Sequence, residues 1–352
     1  MGGDDDRLHP RPLGALHDQI ALREASDEEL WSSRRRDEQL QQKNMSQDIV
    51  AATGPQAQAG RGKARTLLRK YGWGLAFLLP AAAIFILFLW LPIIKGFFYS
   101  FYHIDFVNGD EFVGLDNYRT VFSDPDVWTA VKNTLYYMAL CLVMGFWVPI
   151  VFAIGISEIK RLQGVFRVAA YLPNVIPVVV LYGLWRWMYD PVGPINAGIT
   201  SLFGGEGVSF LTDTKWSMIS LVFMETWQQF GSAMLLYLAA VLSIPRDWYE
   251  AAEIDGAGIW QRIWHITLPS LRSLILLMLV LQIIGTSQAY QSQLAILDGG
   301  PVKATLTYAL LIVKYATTRL DMGVASAMGV LMFIVLGALA IVQYRLDRKG
   351  DR

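Results

Sequence analysis

Apolar and polar positions alternate in this chain on the scale of whole helices rather than single turns. Six apolar runs, at approximately 72–97, 128–156, 165–188, 216–242, 271–294 and 323–343, are nearly free of charge and are separated by polar stretches. A helix needs roughly 20 residues to cross the hydrocarbon core of a bilayer, so each run predicts one span. The expected fold is all-α and transmembrane. Residues 1–70 break the pattern. Their apolar residues (Leu16, Ile20, Leu30, Leu40) are too sparse for a core, which predicts a mostly disordered tail with a transient helix around Asp27–Gln42. No apolar run lies near the start, so no cleavable signal peptide is expected. The organisation read from this is a tail over 1–70, a membrane domain over 71–347 with a polar insert at 245–269, and a C-terminal tail at 348–352.

Charge adds orientation. The chain is 54% hydrophobic and 17% charged, where soluble domains carry about a quarter charged residues. Lys and Arg total 30 and so do Asp and Glu, so nothing in the charge balance points to nucleic acid. Near the spans, Arg65, Arg69, Lys70, Lys160, Arg161, Arg167, Arg246, Arg262, Arg272, Arg345 and Arg348 fall on one side, in excess over Lys95, Arg119, Lys132, Arg186, Lys215, Lys303, Lys314 and Arg319 on the other. By the positive-inside rule that side is cytoplasmic, and it holds both termini and the insert. The single cysteine, Cys141, excludes an intrachain disulfide, and the four histidines are too scattered for a metal site. Gly60–Ala64 lacks the spacing of a phosphate-binding loop.

Two polar stripes interrupt the apolar runs. In the fourth, Glu225, Gln228, Gln229 and Ser232 sit at i, i+3, i+4 and i+7, one face of a helix, with Trp227 beside them. In the fifth, Gln282, Thr286, Tyr290 and Gln293 repeat the pattern. Single polar groups of this kind often knit helices together. Two stripes with aromatic neighbours point instead to a neutral polyol such as a sugar. A carboxylate near mid-bilayer costs several kcal/mol unless paired or hydrated, so Glu225 is expected to meet a sugar hydroxyl, a cationic substituent or an Arg of a partner.

The insert Pro245–Pro269 reads as a short helix, a glycine turn and a second short helix. Pro245 suits a helix start and Gly256 a left-handed helix end. Trp248, Ala251, Ala252 and Asp255 share a face whose small centre permits close approach, and its acidic surroundings fit a protein groove better than an anionic leaflet.

The stretch E-A-A-E-I-D-G-A at Glu250–Ala257, with I-T-L-P at Ile266–Pro269, resembles the EAA loop of ABC-importer permeases. F-V-G-L-D-N-Y at Phe112–Tyr118, D-P-D-V-W at Asp124–Trp128, the Phe166–Val180 stretch and Gly299–Pro301 resemble the carbohydrate branch, of the maltose-transporter type. This resemblance covers residues 70–345 and implies a six-helix type I importer permease in a bacterial-type inner membrane. It implies a coupling helix in which Glu250, Ala251, Ala252, Asp255, Gly256, Ala257, Ile266, Leu268 and Pro269 meet an ATPase. It places sugar contacts on Glu225, Gln228, Gln229, Ser232, Gln282 and Thr286, although the side chains differ from the maltose set at most of these. The implied partners are a second, similar permease, an ABC ATPase dimer holding ATP and Mg, and an extracytoplasmic solute-binding protein. No cofactor and no catalysis are expected on this chain. The residues also admit a proton-coupled transporter using Glu225, or a receptor or scaffold that signals through the tail.

Overall fold

The computed structural model describes residues 77–105, 107–159 and 161–350, together with Arg35, Gln41, Lys43 and Met45. The tail over 1–70 with its helix around Asp27–Gln42, the start of the first expected span and residues 351–352 lie outside the described residues. The chain divides into two compact units, Met1–Ile86 and Leu87–Arg352. In the first, the described stretch from Phe77 is exposed apolar helix. The rest belongs to the second.

In chain order, α1 (Phe77–Tyr99) is followed by a two-residue antiparallel pair, β1 (Tyr102–His103) and β2 (Glu111–Phe112). Then come α2 (Asp116–Ser123) and the long α3 (Pro125–Glu158), whose π turn at Cys141–Gly145 lies just before Pro149. After α4 (Gln163–Val175), α5 (Val178–Met188) and α6 (Pro194–Phe203), α7 (Trp216–Leu242) leads into α8 (Arg246–Ile254). The chain ends with α9 (Ile259–Ser287), α10 (Tyr308–Thr317) and α11 (Met322–Gly350). Among the described residues, α1, α3, α9 and the Met322–Ile341 part of α11 are long and apolar enough to cross a membrane. The count rises to six if each of two bent pairs crosses as one span.

Two expected boundaries are corrected by the helices observed. The run 165–188 is not one helix: α4 and α5 meet at 95°. Ile176 is extended (φ −68°, ψ 128°) because the ring of Pro177 disfavours helical backbone in the residue before it. The fifth helix starts at Ile259 rather than 271 and stops at Ser287, so Tyr290 and Gln293 leave the stripe on which spacing placed them. The run 216–242 coincides with α7, which turns by 68° into α8 at Pro245.

Two apolar cores set these helices in place. Phe146, Ile150, Ala153 and Ile156 of α3 pack with Ala170 of α4 and Met234, Tyr237 and Leu238 of α7. There Gly231 lets α7 meet α4 backbone to backbone, since a Cβ would stand 2.2 Å from the Ala170 carbonyl oxygen. In the other core, Val127 and Ala130 of α3 pack with Leu310 and Leu311 of α10 and with Val324, Ala325, Ala327 and Met328 of α11. The small residues opening α11 thereby find their partner. Gly323 lies against the Tyr102 carbonyl, with room for no Cβ, and the buried Asn117 amide donates to Ser100 O (3.0 Å) and Tyr102 O (2.9 Å).

A charged cluster ties α10 and the connection that follows it back to the start of α3. Asp124 caps α3 by accepting from the Asp126 N–H (2.8 Å), and it also accepts from the Tyr315 hydroxyl and from Arg319 Nη1 (3.2 Å). Arg319 Nη2 reaches Asp126 at 2.9 Å, and its guanidinium lies 4.2 Å from the Tyr315 ring centroid. Burial works to raise the Asp124 pKa. Donation from Tyr315, the Asp126 N–H and Arg319 outweighs it and holds the carboxyl below its ordinary 3.8. A depressed folded-state pKa adds stability above the unfolded value and loses it as pH falls through the folded one. Acidification below 3.8 should therefore lower the unfolding temperature in detergent, and Asp124→Asn should remove that step from a pH series.

Candidate functional site

The polar face of α7 opens on a cavity of about 710 Å3, within the roughly 300–1,000 Å3 of small-ligand clefts. Glu225, Gln228, Gln229 and Ser232 line it from α7, and Gln282 and Thr286 from α9. Gln288, Tyr290 and Gln291 follow from the chain beyond α9, with Tyr137 and Cys141 from α3, Asn174 from α4 and Tyr182 from α5. The expected stripes thus meet on one wall. Asn174 Nδ2 donates to Ser232 Oγ at 2.6 Å. Thr286 Oγ1 donates to its own helix at Gln282 O (2.8 Å), which leaves its lone pairs for an incoming donor. The Glu225 carboxylate accepts from the Tyr137 hydroxyl through one oxygen and from the Ser292 hydroxyl through the other. The lining holds no Lys, Arg or His.

Trp227 is the exception among the residues expected here. It does not line the cavity but packs on Trp185 (ring centroids 5.5 Å apart), beside Leu181 and Tyr189. A helix turns 100° per residue, so the neighbour of a cavity residue faces another side. Sequence reasoning missed Tyr137, Asn174, Tyr182 and Ser292: Asn174 and Tyr182 are single polar residues in apolar stretches, and Tyr137 and Ser292 carry no spacing that ties them to the stripes. Asn174 did carry a signal, since it stands between Pro173 and Pro177 where the helix breaks.

The insert folds as a unit. The backbone ends α8 in a Schellman motif: Gly256 has φ +79°, Ala257 N–H donates to Ala252 O (2.9 Å) and Gly256 N–H to Glu253 O (3.0 Å). Tyr249 OH and Thr267 Oγ1 lie 2.9 Å apart and Arg262 pairs with Glu253, so α8 is tied to the first turns of α9. Thr267 is buried, Ile266 and Leu268 are half-buried, and Leu268 joins the core around Ile150 and Met234. Pro269 occupies a first-turn position of the regular helix that follows. No residue of α8 is buried: Trp248, Glu250, Ala251 and Ile254 are exposed, as are Asp255 and Gly256, and Ala252 and Ala257 are half-buried.

The family described as "Binding-protein-dependent transport system inner membrane component" matches residues 145–349, which include α7, the insert and α9. The chain belongs to this family. This member is a multi-pass component of the membrane and a transport subunit rather than an enzyme. It is 29% identical over 279 residues to the probable ABC transporter permease YurN of Bacillus subtilis, covering 78% of this chain and 95% of the relative. It is 28% identical over 276 residues to the trehalose/maltose transport permease MalF of Thermococcus litoralis, covering 78% and 93%. Among solved structures it resembles a chain of a bacterial ABC transporter that imports the acidic polysaccharide alginate (TM-score 0.74, 26% identity, 82% of this chain and 99% of that one). A second structure of such a transporter, in complex with an alginate pentasaccharide-bound periplasmic protein, matches at TM-score 0.72 and 26% identity, over 80% and 96%. The likeness carries the all-α type I importer permease fold.

Proposed function

We propose that this chain is the transmembrane permease subunit of an ATP-driven ABC importer for a sugar or oligosaccharide. The cavity carries that proposal: Gln228, Gln229, Gln282, Asn174, Ser232 and Thr286 supply neutral donors and acceptors, and Tyr182 and Tyr290 supply aromatic faces. A sugar offers many hydroxyls and little charge, so it needs such a wall to replace its hydration on entering the membrane. Relatives named for trehalose and maltose, for starch degradation products and for arabinooligosaccharides support the substrate class.

In this proposal both termini and the insert are cytoplasmic. The exposed face of α8 around Glu250, Ala251 and Asp255 docks on one copy of an ATPase dimer, which holds ATP and Mg. A second, similar permease completes the pathway, and a solute-binding protein delivers sugar outside, as the periplasmic protein bound to the alginate transporter suggests. ATPase closure moves the insert and turns the cavity to face first one side and then the other. A proton carrier at Glu225 is less well supported: both its carboxylate oxygens are taken up by Tyr137 and Ser292, and the built surface of α8 would then serve nothing.

The test is uptake of labelled maltose, trehalose and arabinooligosaccharides by the co-purified complex in proteoliposomes with its binding protein. ATP-dependent uptake that survives collapse of the proton gradient is expected. Gln228→Leu combined with Gln282→Leu should raise KM about tenfold or more, as losing two buried polar contacts implies, with assembly intact. Uptake that needs the proton gradient and no ATP would overturn the proposal.

A further inference from the structure

The Glu225 carboxylate does more than line the cavity. Tyr137 on α3 and Ser292, just beyond the end of α9, both donate to it, so one side chain of α7 joins three parts of the chain. Tyr137 and Ser292 are only 2% and 1% exposed. Gln293 extends the network. It is fully buried, its Oε1 lies 3.1 Å from Ser292 Oγ, and its Nε2 has no partner. A hydroxyl has one proton, and Ser292 gives it to Glu225. A half-turn of the Gln293 amide therefore completes the set, with Nε2 donating to Ser292 Oγ. The start of α10 braces the same region: Thr307 Oγ1 donates to Ala289 O (2.7 Å), and the Tyr308 N–H donates to Thr134 Oγ1 (2.8 Å), one turn from Tyr137.

The place of this network along the helices gives it a direction. In the proposed orientation α3 and α7 run from the outer side to the inner, and α9 runs from the insert outward. Glu225 is nine residues into α7, about 14 Å from its outer end. Leu236 of α7, Pro149 of α3 and Met278 of α9 line the opposite end of the cavity, toward the insert. The network therefore forms the outer ceiling of the cavity, with Cys141 lining the wall one turn inward from Tyr137.

We propose that Glu225 is the positioning residue of an outer gate, in which its hydrogen bonds to Tyr137 and Ser292 hold the sugar cavity closed to the outside. This rests on the proposed import function and orientation. These two bonds cross the seam between α7 and α3 and the seam between α7 and the segment after α9, so parting either seam breaks one of them. Glu225→Gln keeps the volume but puts an amide donor opposite one of the two hydroxyls that were donating and leaves a weaker neutral acceptor for the other, so it should loosen the gate as the loss of the hydroxyls does.

Cys141, the only cysteine of the chain, reports the gate without any sugar. The complex, in right-side-out vesicles, is treated with a membrane-impermeant maleimide and Cys141 modification is read by peptide mass. Nucleotide-free wild type should label slowly. Tyr137→Phe with Ser292→Ala, and separately Glu225→Gln, should label roughly five- to tenfold faster, the factor one buried hydrogen bond makes in an equilibrium. Wild type trapped with ATP and vanadate should label as fast as these variants, a comparison that holds even if a variant fails to assemble. Fast labelling of nucleotide-free wild type, or variants that assemble and label at its rate, would overturn the gate. An absence of ATP-driven uptake by wild type would instead strike the import proposal, since nucleotide-free labelling does not depend on it.

Discussion

Replacing Gly256 by valine should reduce ATP-driven uptake about tenfold or more while the spans still insert. The position is left-handed (φ +79°), and no atom lies within 4 Å of where a Cβ would stand. The cost is therefore conformational rather than steric. Roughly 1–2 kcal/mol is the general penalty for an L side chain there, and β-branching raises it. The chain relieves it by giving up the Ala257 N–H to Ala252 O bond that ends α8, so the surface around Glu250 and Ala251 loses its shape. Asparagine tolerates left-handed backbone, so Gly256→Asn should recover most of the uptake, which a steric explanation would not allow. The measurement is uptake in vesicles alongside co-elution of the ATPase. Wild-type uptake by the valine variant would remove the turn from the mechanism.

Gly231 should be among the positions most sensitive for stability. A Cβ there meets backbone: the Ala170 carbonyl oxygen at 2.2 Å, its carbon at 2.8 Å and Tyr171 Cα at 2.9 Å. No rotamer change relieves those contacts, so even alanine must push α4 off α7. Overpacking of this kind costs about 1–3 kcal/mol. Function should suffer with stability, because Asn174 follows Ala170 by one turn of α4 and its bond to Ser232 spans the same crossing. Gly285 also lines the cavity but has nothing within 4 Å of its Cβ position. Gly285→Ala should leave the thermal midpoint in detergent unchanged where Gly231→Ala lowers it. Equal midpoints would mean that the crossing is looser than described.

Several of the long apolar helices were legible because bilayer thickness sets the length and hydropathy to look for. The run 216–242 became α7 with the same bounds, and Gly256 became the helix end that its lack of a Cβ allows. The polar stripe on α7 was legible because a helix fixes which residues share a face. Its counterpart after Ser287 was not, since periodicity assumes a helix that continues. The chain leaves the regular helix at Gln288 and forms a π turn over Gln293–Leu297. The 95° bend was half legible. Pro177 marked a break, but hydropathy treats two short apolar helices and one long one alike. Tyr137 and Ser292 could not be found from sequence, because pairing with Glu225 joins positions 88 and 67 residues away.

The continuity of α9 has a mechanical consequence. Its 29 residues run unbroken from the insert to Ser287, about 43 Å of helix against a hydrocarbon core of about 30 Å. The end tied to α8 through Tyr249 and Arg262 and the end bearing Gln282 and Thr286 are thus two arms of one lever. A tilt of about 10° about one end would carry the other through about 7 Å over that length. Such a stroke is wider than a sugar hydroxyl's reach, so under the proposed import function a small swing at the insert would suffice to take Gln282 and Thr286 out of contact with a bound sugar.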